Sequence, residues 1–176
     1  MKANKIITLV TAALMAALTC VATVVVAVPS PIGGYIHPGD GFVILSGIIL
    51  GPFFGGLAAG IGSMLADLIL GFSAYAAATF VIKCLAAILA ATIIKLLRKK
   101  NSRKIFPLCI AAIAGGVIVT GGYFLFEGGL LGLGFQAAFM NVPFNLVQNI
   151  FGIVVSVLLY PLLLRVPQIR SLMDQE

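Results

Sequence analysis

"GFVILSGIILGPFFGGLAAGIGSMLADLILGFS", residues 41–73, is one apolar run with a single charge, Asp67. As an unbroken helix it would reach about 50 Å, well past a hydrocarbon core of about 30 Å. Its middle, "LGPFFGG" at 50–56, sets Pro52 among three glycines, a composition that turns a chain and starts a new helix. The two halves are short, so the break alone is ambiguous; with the placement of the basic residues added, two helices are expected here, 41–52 and 55–72.

Outward from this stretch, uncharged or nearly uncharged runs cover 6–28, 76–97, 105–126 and 138–164. Over 176 residues the hydrophobic fraction is 61% and the charged fraction 9%, with mean hydropathy +1.19. Soluble domains carry about 25% charged residues. Run length suits membrane-crossing helices rather than the two-residue alternation of a barrel. The expected fold is an all-α integral membrane protein, a single transmembrane domain over 1–176 with six helices.

Lys2 and Lys5 ahead of an apolar run resemble a secretory signal, but residues 6–28 are uncharged throughout. That exceeds the roughly 7–15 apolar residues of a signal core, so a retained helix is expected. The three cysteines, Cys20, Cys84 and Cys109, all fall in apolar runs and read as packing residues, with neither a disulfide nor a metal site suggested.

Orientation follows from the basic residues. "KLLRKKNSRK" at 95–104 and the N-terminal lysines belong in the cytoplasm by the positive-inside tendency. Four crossings between them satisfy this and three do not. Two more return Arg165 and Arg170 to the same side, so both termini are cytoplasmic and the outer loops are 29–40, 71–76 and 127–137. The expected location is the plasma membrane of a bacterium. The formal charge of +6, from 11 Lys and Arg against 5 Asp and Glu, needs only topology and anionic lipid to explain it, and nucleic acid is not expected as a partner.

Few polar residues lie within the helices, and they fall on stripes. Gly56, Gly60, Ser63 and Asp67 share one face of 55–72; Thr79, Lys83 and Ala87 share one of 76–97; Asn141, Asn145, Gln148, Asn149, Gly152 and Ser156 line 138–164. Asp67, Lys83 and Asn145 come out about 8–10 Å below the outer helix ends. Asp67 with Lys83 is the expected ion pair, because a lone charge at that depth costs about 2.5–3.5 kcal/mol or more. The carboxamides offer several donors and acceptors to a small polar ring, although interhelical bonding is the plainer role for them. Tyr35, Tyr75, Tyr123 and Glu127 lie near the same outer level and sketch a pocket, although tyrosines there are commonly interface residues. "SPIGGYIHPGDGF" at 30–42 lies over that pocket as a lid or as an ordinary turn.

Catalytic signatures are missing: no paired-histidine metal motif, no serine elbow, no phosphate-binding loop, and one histidine in the chain. An enzyme is not expected, nor a cofactor of its own. Any ATP-driven step must draw on another subunit. In "TLVTAALMAALTC", Ala12 with Ala16 and Ala13 with Ala17 form four-residue pairs of small side chains, a surface for close helix approach or for internal packing.

The segment "GGYIHPGDGFVILSGIILGPFFGGLAAGIGSMLADLILG" at 33–71, followed by "FVIKCLAAILA" at 80–90, resembles the S components, the substrate-binding membrane subunits of energy-coupling factor vitamin transporters. The likeness runs nearly the full length and is strongest to the subgroup for riboflavin, hydroxymethylpyrimidine and related rings. It implies six helices binding a vitamin near the outer face. It implies ligand contacts from the 30–42 loop (Gly34, Tyr35, His37, Asp40), from Lys83, and from Asn145, Gln148 and Asn149; Tyr123 of the sketched pocket is expected beside them. It further implies a transmembrane T component docked on Ala12, Ala13, Ala16 and Ala17, with two cytoplasmic ATPases that use the ATP. Hydroxymethylpyrimidine is the favoured ligand, with pyridoxine and riboflavin next. The chain lacks the tryptophan that some relatives stack on the ligand. Rival readings are a proton-coupled carrier using Asp67 and Lys83, and a non-transporting assembly subunit.

Overall fold

The computed structural model describes residues 2–30, 33–97 and 105–173. Pro31 and Ile32 of the loop, and residues 98–104 of the basic stretch used for orientation, lie outside them. The described chain is helical: α1 Lys2–Val25, α2 Asp40–Leu70, α3 Ser73–Leu97, α4 Ile105–Leu125 running on into a π-helical turn at Phe126–Leu130, α5 Phe135–Leu163 and a short α6 Pro167–Met173. Two short strands, β1 Val28–Pro29 and β2 Tyr35–Ile36, pair antiparallel with Val28 opposite Ile36. Among the described residues five helices, α1 to α5, are long and apolar enough to cross a membrane. Their outer faces are apolar, as at Leu14, Val117 and Leu158, which suits lipid as solvent.

The break expected at 50–56 falls at Gly51, whose φ of 74° and ψ of −179° interrupt α2. Only glycine takes that backbone readily, and Pro52, with no N–H to leave unpaired, begins the second arm. A Cβ at Gly55 would lie 2.6 Å from Gly47 Cα. In a straight helix those residues stand about 12 Å apart, so the arms fold back on one another. The arms 40–50 and 52–70 take the place of the two expected helices. At about 16 Å, the first is too short to cross a bilayer. Val43 to Leu50 are all buried in it, making it the centre of the bundle, as its all-round apolar character requires.

Small residues bring the helices together. A side chain at Gly47 would collide with the Ala87 carbonyl, one at Gly56 would touch Cys84 and Ile88, and one at Gly60 would meet Phe80 at 2.9 Å. The glycine stripe on α2 is thus spent on α3, the usual device of membrane helix packing. Gly71, at φ 84°, ends α2, and Phe72 N–H donates to the Asp67 carbonyl at 2.8 Å, turning the chain directly into α3. The helix α6, which the run boundaries do not reveal, buries Ile169, Leu172 and Met173 in one apolar cluster with Ile48, Ile49 and Leu50.

The paired alanines of α1 divide. Ala12 and Ala16 pack against the core, and a side chain at Gly62 would collide with the Ala16 carbonyl. Ala13 and Ala17 are exposed. Of the four residues expected to form one partner surface, two serve internal packing because they lie on the side of α1 that faces α2.

Candidate ligand-binding site

The chain ends of the helices set up the site. The β1–β2 ribbon crosses one end of the bundle, above the last turn of α2, the first turns of α3, the π-helical turn and the first half of α5. Beneath it is a cavity of about 440 Å³, its open mouth included. The ribbon supplies Ser30, Gly33, Gly34, Tyr35, Ile36 and His37 to the lining. The helices supply Asp67 from α2, Tyr75 and Thr79 from α3, Tyr123 and Glu127 from α4 and the turn after it, and Asn141, Phe144, Asn145 and Gln148 from α5.

Side-chain bonds fasten the ribbon over this space. Ser30 Oγ donates to Asn141 Oδ1 at 2.5 Å, Tyr35 OH to Asp67 Oδ1 at 2.5 Å, and His37 N–H to Gln148 Oε1 at 3.3 Å. The His37 ring is held from below: Gly39 N–H donates to Nδ1 at 3.1 Å, and the Thr23 hydroxyl stands 3.1 Å from the same nitrogen. Nδ1 is thereby an acceptor, and the ring proton sits on Nε2. Burial pulls the His37 pKa down to about 4, so the imidazole is neutral at physiological pH. Burial, then the neighbouring Asp67 carboxylate, push Tyr35 the other way, keeping its phenol protonated.

Two carboxyl groups line the cavity, Asp67 from α2 and Glu127 from the π-helical turn. Asp67 is 4% exposed and Glu127 3%. Glu127 Oε1 accepts from Asn141 Nδ2 at 3.0 Å and from Tyr75 OH at 3.5 Å. Asp67 Oδ2 and Glu127 Oε2 have no hydrogen-bond partner among the described residues, although the Thr79 hydroxyl lies near Asp67 and is 2.9 Å from Tyr123 OH. Tyrosine and phenylalanine rings supply stacking surface: Tyr35 lies 5.0 Å from Phe72, and Tyr75 lies 6.5 Å from Tyr123, between ring centroids.

Below the floor runs a second polar layer. Gln148 reaches through it, accepting from the ribbon at Oε1 and donating through Nε2 to Asp40 Oδ2 at 2.8 Å. Lys83, fully buried, donates its ammonium to Asp40 Oδ1 in a salt bridge and lies 5.3 Å from the Tyr123 ring centroid. The expected Asp67–Lys83 ion pair is therefore corrected: the partner is Asp40. Asp67 is three residues from the end of α2, about 5 Å deep, whereas Lys83 is ten residues into α3, about 15 Å deep. The fold-back at Gly51 returns Asp40 to the level of Lys83.

Of the expected ligand residues, Gly34, Tyr35, His37, Tyr123, Asn145 and Gln148 line the cavity. Asp40 and Lys83 lie beneath it. Asn149 turns away, its Nδ2 donating to the Gly116 carbonyl at 3.0 Å and to Thr120 Oγ1 at 2.8 Å. One residue is a 100° rotation on a helix, enough to move Asn149 from the cavity face of Gln148 to the α4 contact. Thr79 and Asn141 are cavity residues that the sequence marks only as stripe members. Their signal was the shared face with Asn145 and Gln148 on one helix, and with Lys83 on the other.

The family model for the ECF-type riboflavin transporter S component matches residues 3–165. A Pyrococcus woesei protein, described as an uncharacterized protein in a gap 3′ region, is 31% identical over 138 residues, 77% of this chain and 87% of its own length. The solved structure of the S component of a bacterial ECF transporter has the same fold, with a TM-score of 0.68 and 24% identity over 90% of this chain and 95% of that one. With the matched model spanning nearly the whole sequence, the chain belongs to the ECF-type riboflavin transporter S component family.

Proposed function

We propose that this chain is the substrate-binding subunit of an ATP-driven importer, capturing a small heteroaromatic vitamin or vitamin precursor in the cavity under the β1–β2 ribbon. The observation that carries the reading is the cavity itself, set at one end of an apolar bundle and lined by aromatic rings, amides and carboxyls. A concave site with aromatic faces and convergent polar groups is where a small polar ring binds. Hydroxymethylpyrimidine is the favoured ligand, because its amino-bearing ring matches carboxyl and amide acceptors; pyridoxine and riboflavin are next. The chain uses no cofactor, and ATP is hydrolysed by two partner ATPases joined through a T component.

The ribbon end faces outward and both termini lie on the cytoplasmic side, a reading supported by Lys2, Lys5, Lys95, Arg165 and Arg170 at the opposite end of the helices. The rival carrier reading drew on an Asp67–Lys83 pair and loses its support with Lys83 committed to Asp40.

Mass spectrometry of the ligand retained through purification is the test. A ring vitamin or precursor at near-stoichiometric yield, together with co-purifying ATPases from a native membrane, supports the reading. Uptake by the isolated chain under a proton gradient, with no ATPase, would overturn it.

A further inference from the structure

Asp67 and Glu127 stand out in the cavity because each is half satisfied. Asp67 accepts from Tyr35 and has the Thr79 hydroxyl beside it, Glu127 accepts from Asn141 and Tyr75, and Asp67 Oδ2 and Glu127 Oε2 meet no hydrogen-bond partner among the described residues. Both side chains are more than nine-tenths buried and both line the cavity. A buried carboxyl oxygen without a partner is costly unless something occupies it. The remaining lining offers no cation to balance them: among the described residues no Lys or Arg borders the cavity. The ammonium of Lys83 is held by Asp40 beneath the floor, and His37 accepts at Nδ1. Tyr75 lies beside Glu127 and within the field of Asp67, so the two acids flank a single aromatic wall.

We propose that the cavity selects ring compounds that present N–H or O–H donors, neutral or cationic, toward both Asp67 and Glu127, and rejects their phosphorylated or carboxylated counterparts. Donors from the ligand complete the two orphan oxygens. An anionic substituent meets two carboxyl groups and no counter-cation in the lining, and like charges set side by side oppose binding. The selectivity rests on the substrate-binding reading above. It deepens that reading by stating which charge class of ring is admitted.

The test uses the full chain, purified in detergent micelles, and isothermal titration with three pairs of probes: hydroxymethylpyrimidine, pyridoxine and riboflavin, each against its own phosphate ester. At least one parent compound is expected to bind, with its phosphate about a hundredfold weaker or worse. Asp67→Asn and Glu127→Gln, close in shape but uncharged, should each weaken the parent about tenfold and narrow the gap to the phosphate by about as much. A phosphate binding within tenfold of its parent overturns the selectivity while leaving the vitamin-binding reading intact. So does an unchanged ratio in folded variants. Failure of all three parents to bind overturns that reading and the selectivity with it. Should either variant not fold, the ratio for the unmodified protein decides.

Discussion

Lys83 of α3 is salt-bridged to Asp40, 43 residues earlier in the chain, and not to Asp67, which the stripe pattern places at its level. The arrangement exists because α2 doubles back at Gly51, bringing its first residue down beside the middle of α3. Gln148 completes it by bonding the second Asp40 oxygen. The three residues tie α2, α3 and α5 into one polar knot just below the cavity.

Removing either end of the salt bridge leaves a buried charge alone. Lys83→Met or Asp40→Asn should destabilise the bundle by about 3–5 kcal/mol. The double variant Lys83→Met/Asp40→Asn should recover most of that loss, because it leaves no buried charge unpaired. Thermal midpoints of the four proteins in micelles form the cycle, and strictly additive losses would show that the two residues act independently.

Gln148 and Asn149 are neighbours with different work. Gln148→Ala should weaken ligand binding about tenfold or more, since it lines the cavity and holds both His37 and Asp40. Asn149→Ala should leave affinity near normal and lower stability by about 1 kcal/mol, the worth of its bonds to α4. Titration calorimetry alongside melting separates the two, and equal affinity losses would place Asn149 in the site after all.

His37 makes the bundle sensitive to acid. Its folded pKa of about 4 lies below the ordinary 6.5, so the unfolded chain binds the proton first and stability falls as pH drops from 6.5 to 4. Above 6.5 the contribution is complete; below 4 the loss is complete, and amounts to about 3 kcal/mol. Asp40 and Lys83 act on His37 in opposite directions and partly cancel. His37→Gln should flatten the slope of the melting temperature across that window. An identical slope in the variant would mean that other groups carry the acid sensitivity.

The division of the α1 alanines can be read out in transport. Ala16→Leu, on the side of α1 packed against the core, should cost about 1–3 kcal/mol of stability by overpacking. Ala13→Leu and Ala17→Leu, on the exposed side, should leave melting and ligand affinity unchanged while abolishing ATP-dependent uptake by the reconstituted complex. Uptake that survives both would place the partner on another face.

The membrane class, the apolar runs and the turn at 50–56 were legible in the sequence, because hydrocarbon solvent demands long uncharged helices and Gly51-Pro52 cannot continue one. The carboxamide face of α5 was equally legible, since a helical repeat places Asn141, Asn145 and Gln148 together whatever surrounds them. What tertiary structure alone decided was depth and pairing. Asp40 belongs to Lys83 because α2 folds back, and Asp67 is released to Tyr35 and the cavity because it ends its helix near the ribbon. Asn149 leaves the site because α4 lies against its edge of the stripe. Helical periodicity fixes direction around an axis and spacing along it; which helix stands opposite, and at what level, follows only from packing the whole bundle.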